Sequence, residues 1–168
     1  MTGPRVVLIG PMGAGKSTVA NRLGGLWGVS VRDTDADIEA SEGRAISDIF
    51  VDDGETYFRA KEREAVALAL REHDGVLSLG GGAVLDPTTR ELLVGFPVVF
   101  LEVGLAEAVK RVGLGTGRPL LLGNVRAKVK ALLDERTPIY RGTATHTVNT
   151  DELSPAEVAA EIVRLLEN

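Results

Sequence analysis

The apolar run Val6-Val7-Leu8-Ile9 passes without a break into Gly10-Pro11-Met12-Gly13-Ala14-Gly15-Lys16-Ser17-Thr18, and no other stretch constrains the chain so tightly. Residues Gly10 to Ser17 satisfy G-x-x-x-x-G-K-[ST], after a strand-like run and before a helix-like one, as a phosphate-binding loop requires. The spacing follows from the chemistry. Glycines let successive backbone N–H groups close around an anion, and a helix opening at Lys16 turns its positive end toward the same point. Lys16 brings a mobile cation to the outer phosphates of a nucleotide, and the Ser17 hydroxyl falls where Mg²⁺ is held. A glycine-rich turn that binds nothing is disfavoured by the agreement of the motif with both of its flanks.

Further strand-like runs follow at Ser30 to Arg32, Val76 to Leu79, Val98 to Val103 and Thr145 to Asn149, with helical segments between them. Such alternation predicts a parallel sheet. Val6 to Ile9 and Val98 to Leu101 are continuously apolar, as strands covered by helices on both faces are. Lys16 to Leu26 reads as the first helix, stopped by Gly24, Gly25 and Gly28, and Asp35 to Glu42 as the second. Ile46 to Asp53 and Glu55 to Arg71 read as two more divided by Gly54, with Val66 and Leu70 on a buried stripe. This segment is longer than a crossover between strands requires.

After Leu79, the triplet Gly80-Gly81-Gly82 marks a place where backbone passes close to something. Helices are predicted from Pro87 to Leu93, from Leu105 to Val112, and from Val125 to about Thr137, ahead of Pro138. Between the last two, Gly113 to Asn124 holds Gly113, Gly115, Gly117 and Gly123 around Arg118-Pro119, and reads as a mobile loop with one anchored cation. Ser154-Pro155-Ala156-Glu157 is a capping box opening a final helix whose Val158, Ile162, Leu165 and Leu166 share a face.

A length of 168 residues suits one domain with a core that needs no staples. The net charge of -5 argues against a nucleic-acid partner held through its phosphates. With no cysteine, disulfides and thiolate metal sites are excluded, which fits a reducing cytoplasm. No run approaches the roughly 18 apolar residues of a membrane span. Met1 to Arg5 leads straight into the first strand and leaves no room for a signal segment. A soluble, cytoplasmic protein is expected.

A phosphate loop needs an acid near the metal, at the carboxyl end of a neighbouring strand. Asp33 and Asp35 are the best placed, one for Mg²⁺ and one for a substrate hydroxyl; the competing reading is that either merely caps the following helix. Arg59 stands three residues before Glu62, at a spacing where the carboxylate orients the guanidinium. Arg118 and Arg136 carry no signal in isolation. Phe50, Phe58 and Ile46 read as core, His73 and His146 as structural, and Trp27 as packing.

The ordered set of motifs resembles shikimate kinase over nearly the whole chain. It comprises the phosphate loop Gly10 to Thr18, Asp33-Thr34-Asp35, Phe58-Arg59 with Glu62, Leu79-Gly80-Gly81-Gly82-Ala83-Val84, Arg118-Pro119-Leu120-Leu121, and Glu135-Arg136 through Tyr140-Arg141. The resemblance implies a three-layer αβα P-loop kinase of the nucleoside-monophosphate-kinase type. Its five-stranded parallel sheet would run in the order 2-3-1-4-5 within a single domain, 1–168, with a substrate-binding region at about 34–61 and a mobile lid at about 113–124.

The activity implied is transfer of the γ-phosphoryl of ATP to the 3-hydroxyl of shikimate, on the route to chorismate, by a protein expected to be a monomer. The resemblance assigns Mg²⁺ to Ser17 and, through water, to Asp33, and makes Asp35 a ligand of the substrate hydroxyls and the candidate base. Arg59 and Arg136 would clamp the carboxylate, and the backbone at Gly81 and Gly82 would meet the ring hydroxyls. ATP would lie on Gly13, Ala14, Gly15, Lys16, Ser17 and Thr18, with Arg118 reaching its phosphates and Arg111 and Pro155 flanking its base. The chain departs from the family pattern at Leu153, where an arginine near the adenine is frequent. Other small-metabolite kinases of this fold, such as a gluconate kinase, would not need two arginines from separate segments converging on a ring-borne carboxylate, nor the glycine triplet.

Overall fold

The structure is a computed structural model that describes residues 3–116 and 122–167, with side chains described for these except 112–116 and 122–124. Its five strands, β1 (Val6–Ile9), β2 (Val31–Asp33), β3 (Val76–Ser78), β4 (Val98–Glu102) and β5 (His146–Asn149), form one sheet in the order β2-β3-β1-β4-β5. Every pairing is parallel. The order is the one expected, and it places β1 at the centre with each of its residues at most 1% exposed. Two apolar faces follow. Val6, Leu8, Val99 and Leu101 pack toward α1 (Lys16–Trp27) and α7 (Pro155–Glu167), whereas Val7, Ile9, Leu77 and Phe100 pack toward residues of α3 (Ile46–Glu72) and α6 (Leu122–Thr143). None of the described helices is long and apolar enough to cross a membrane.

The insertion after β2 has its own small core. α2 (Thr34–Glu42) and the first half of α3 bring Ile38, Ile49 and Phe58 together, with Ile46, Phe50 and Tyr57 packed around them. Gly54 divides α3, as expected, with φ 84 and ψ 172. Arg44 and Tyr57 brace the bend: Arg44 pairs with Glu42, Asp52 and Asp53, and the Tyr57 hydroxyl reaches Glu42 at 2.9 Å.

α4 (Pro87–Leu92) lies close to where it was expected, but several boundaries differ from expectation. α1 runs through Gly24 and Gly25 and ends at Gly28. A Cβ on Gly24 would meet Val31 Cγ2 at 2.8 Å and Val29 O at 2.9 Å, so this glycine permits close approach to β2 and does not end the helix. α6 continues past Pro138 to Thr143 although the proline removes an N–H from the helix ladder. Burial of Tyr140 and partial burial of Ile139 against the sheet outweigh that loss. At both ends of the segment 113–124, expected as a loop, the described residues are helical: α5 (Leu105–Thr116) enters it from one side and α6 from the other. Arg118, with Pro119, Leu120 and Leu121, lies outside the described residues.

The final helix opens as anticipated. Ser154 Oγ accepts from Glu157 N at 3.1 Å while Glu157 Oε1 accepts from Ser154 N at 2.9 Å. Trp27 packs against the core, stacked under Arg5 at 4.3 Å, and donates to Glu167 at 3.0 Å. His73 is buried with Nε2 at 3.0 Å from Val76 O, and His146 Nδ1 lies 3.1 Å from Thr145 Oγ1.

Candidate active site

β1 ends where the phosphate loop begins, and the loop delivers its residues to a cavity of about 320 Å³ at the carboxyl edge of the sheet. Gly13, Gly15, Lys16, Ser17 and Thr18 line it together with Asp33, Asp35, Ser78, Gly80 and Gly81. Gly15 caps α1 in the left-handed region, φ 89, which directs the first N–H groups of the helix into this space. Lys16 Nζ donates to Gly10 O at 2.6 Å and Pro11 O at 3.1 Å, folded back along its own loop. Burial lowers its pKa to about 8 against the pull of Asp35 and Asp33, with Arg136 adding to the fall. At pH 7 it remains a cation, and an arriving phosphate favours that state further.

Asp33 does cap the following helix: its Oδ1 accepts from Asp35 N at 2.8 Å and Ala36 N at 3.3 Å. That role occupies one oxygen and leaves Oδ2 for other work. The exposed Ser17 hydroxyl faces the same cavity, so two hard oxygen donors suited to Mg²⁺ stand on adjacent walls. No group of three or more potential metal-ligating side chains occurs among the described residues. A single carboxylate, a hydroxyl and room for waters fit Mg²⁺ bound with phosphates, and do not fit a closed metal cage.

Asp35 lies against Gly80. A Cβ there would meet Asp35 Oδ1 at 2.6 Å, which gives the first glycine of the triplet a steric reason. Burial raises the Asp35 pKa, reinforced by Asp33 and opposed by Lys16. A carboxylate so poised is a better proton acceptor than an exposed one.

The triplet also brings the separated arginines to one place. A Cβ on Gly82 would meet Arg59 Nη2 at 2.6 Å, and one on Gly81 would stand 3.8 Å from Arg136 Nη1. Arg59 donates to Glu62 at 2.8 Å, as its spacing predicts, and its guanidinium lies 5.3 Å from the Phe58 ring centroid and 6.0 Å from that of Phe50. Glu62 is 2% exposed; burial raises its pKa in spite of the Arg59 hydrogen bond. Among the described residues Arg136 forms no ion pair, and its buried Nε has no hydrogen-bond partner. Phe50 and Phe58 belong to the core as expected, and also flank the Arg59 guanidinium.

On the other side of the phosphate loop a second cavity, of about 250 Å³, is lined by Gly13, Ala14, Gly15, Thr18, Arg111, Thr150, Leu153, Pro155 and Val158. Arg111 spans it, donating to Gly13 O at 2.9 Å, to Thr150 Oγ1 and O at 3.4 Å, and to Glu107 at 3.2 Å. Leu153 packs on the core and presents an apolar edge, so the departure noted in the sequence produces a pocket poor in polar side chains.

Sequence reasoning gave no role to Thr150, Asp151, Ser78, Met12 or Tyr140. Thr150 Oγ1 donates to Glu102 O at 3.0 Å, and Asp151 accepts from Gly104 N at 2.8 Å, tying the loop after β5 to the end of β4. Tyr140 donates to Gly81 O at 2.5 Å. Only Tyr140 carried a usable signal, since it follows Arg136 by four residues on one helix face.

A family model described as Shikimate kinase matches residues 12–167. The shikimate kinase of Thermobifida fusca is 58% identical over 163 residues, covering 97% of this chain and 95% of its own length. That of Salinispora arenicola is 56% identical over 163 residues, covering 97% and 98%. The solved structure of shikimate kinase from Acinetobacter baumannii in complex with shikimate is 34% identical with a TM-score of 0.89, covering 99% of this chain and 94% of that one. With the phosphate loop, the paired aspartates and the glycine-backed arginines in one cleft, and these relatives along its whole length, the chain belongs to the shikimate kinase family.

Proposed function

We propose that the chain transfers the γ-phosphoryl group of ATP to the 3-hydroxyl of shikimate, releasing ADP and shikimate 3-phosphate. One observation carries the reading. Lys16, Asp33 and Asp35 share a cavity with Gly80 and Gly81, and Arg59 and Arg136 stand against the same glycine triplet, so a phosphate donor and a small hydroxylated anion fit side by side. Guanidinium groups recognise a carboxylate through charge-assisted and often bidentate hydrogen bonds, which gives Arg59 and Arg136 the acid group of the substrate.

The acceptor oxygen attacks the γ-phosphorus, the bond to the bridging oxygen of ADP breaks, and the hydroxyl proton passes to an Asp35 oxygen. Burial raises the pKa of Asp35 and so supports this role. Lys16 moves from the carbonyls of Gly10 and Pro11 to the transferring phosphate, exchanging neutral acceptors for an anion. Ser17, and Asp33 through water, would hold Mg²⁺, which would supply neutralisation of charge on the phosphates. Arg111, Pro155 and Leu153 border the nucleotide base, and Arg118 of the lid serves the phosphates.

The test is ADP release with ATP and Mg²⁺ across shikimate, gluconate and nucleoside monophosphates. Turnover confined to shikimate is expected. Equal turnover with gluconate, an open-chain carboxylate, would show that the site does not select the ring acid and would overturn shikimate as the specific acceptor, and none with any acceptor would leave a nucleotide-binding protein without transfer.

A further inference from the structure

Tyr140 lies outside the list of groups that reach the cleft, yet it is tied to one that does. Its ring is 1% exposed and stacked on Phe100 of β4, with centroids 4.9 Å apart and an interplanar angle of 27°. The hydroxyl donates to Gly81 O at 2.5 Å, across 59 residues of sequence. Burial raises the pKa of this hydroxyl, with Arg136 opposing, so at neutral pH it holds its proton and is a donor. Gly81 meanwhile lines the phosphate-side cavity.

A trans peptide is planar, so fixing the Gly81 carbonyl fixes the Gly81–Gly82 plane and points the Gly82 N–H the opposite way. Glycine makes this necessary. Cβ atoms on Gly80 and Gly82 would strike Asp35 and Arg59 where they now lie, whereas Gly81 has room for one, and unsubstituted backbone is otherwise free to rotate its carbonyls toward an incoming anion. An oxygen lone pair turned toward a carboxylate would repel it; an N–H would attract it. We propose that Tyr140 is a positioning residue for the anion end of the substrate site: its hydrogen bond holds the Gly81 carbonyl away from the cleft, leaving the Gly82 N–H as a backbone donor beside Arg59 and Arg136. This rests on the functional reading above, in which that end receives the shikimate carboxylate.

Tyr140→Phe keeps the ring on Phe100 and deletes only the hydroxyl. Loss of one such bond raises the shikimate KM by about fivefold. The ATP KM and kcat stay within about twofold, because neither the phosphate loop nor Asp35 is touched. Phe100→Leu is the packing control: it lowers Tm more than Tyr140→Phe does and leaves the shikimate KM nearly unchanged. A Tyr140→Phe enzyme with wild-type shikimate KM overturns the proposal, as does an equal KM shift in both variants, which would reduce Tyr140 to a packing residue. Absence of shikimate turnover in the wild type would instead overturn the functional reading itself, so the two failures are distinguishable.

Discussion

At the acceptor end of the cleft, Arg136 keeps a buried Nε without a partner among the described residues, and Arg59 commits one nitrogen to Glu62 while lying over bare glycine. At the base end, Arg111 spends its guanidinium on Gly13 O, Thr150 and Glu107, Thr150 is bonded to Glu102 O, and Ser154 and Glu157 satisfy one another. On the proposed reading the first region holds donors in reserve for an anion. The second has spent Arg111 and Thr150 on building a wall, and what it would offer a base is mainly shape. Recognition by buried charge discriminates strongly because a wrong ligand leaves polar groups unpaired, whereas recognition by apolar shape discriminates weakly.

The largest expected effect lies between the two regions. Lys16→Met removes the only loop cation and should lower kcat by about 10³-fold with the fold intact, as loss of a transition-state donor does elsewhere. Circular dichroism alongside initial rates checks it, and near-normal turnover would move the phosphate contact to another residue. Next, Arg59→Ala and Arg136→Ala should each raise the shikimate KM by about 10²-fold and leave the ATP KM little changed. A shikimate analogue with the carboxylate reduced to an alcohol sharpens this: the wild type should use it poorly, and each arginine variant should discriminate against it less.

A smaller effect is expected at the base end. Replacing ATP by GTP should cost no more than about tenfold in kcat/KM, since Leu153 and Pro155 offer no side-chain donor to read a purine edge. A much larger ratio would show that backbone groups of the 149–155 segment do the reading and would narrow the contrast between the regions.

The smallest effect concerns Glu62. Its folded pKa is raised, chiefly by burial, so the neutral acid is the form that folding favours, and this contribution to stability is present below the ordinary glutamate value of about 4.3 and lost as pH rises through the raised value. Glu62→Gln should therefore gain stability relative to wild type as pH rises across that window, followed by urea denaturation, while the shikimate KM rises a few-fold as Arg59 loosens. A stability difference that does not vary with pH would place the Glu62 pKa at its unfolded value.

Sequence alone determined the phosphate loop, the Asp33–Asp35 pair, the Arg59–Glu62 contact, the helix cap at Ser154 and the strand order, the last through resemblance. Apart from the strand order these are local features, in which the interacting groups lie within a few residues and period and spacing fix their relation. Tertiary structure decided the rest. Gly24 looked like a helix stop and is a point of close contact with β2; Pro138 looked like a helix end and lies inside α6, since packing of Ile139 and Tyr140 on the sheet outweighs the cost of about 3 kcal/mol for a proline within a helix. The approach of Arg111 to Gly13, 98 residues away, and of Tyr140 to Gly81, 59 away, has no signature in composition or period. Such contacts exist because a parallel sheet gathers the carboxyl ends of its strands along one edge, and that gathering is a property of the folded layers and not of any segment of the chain.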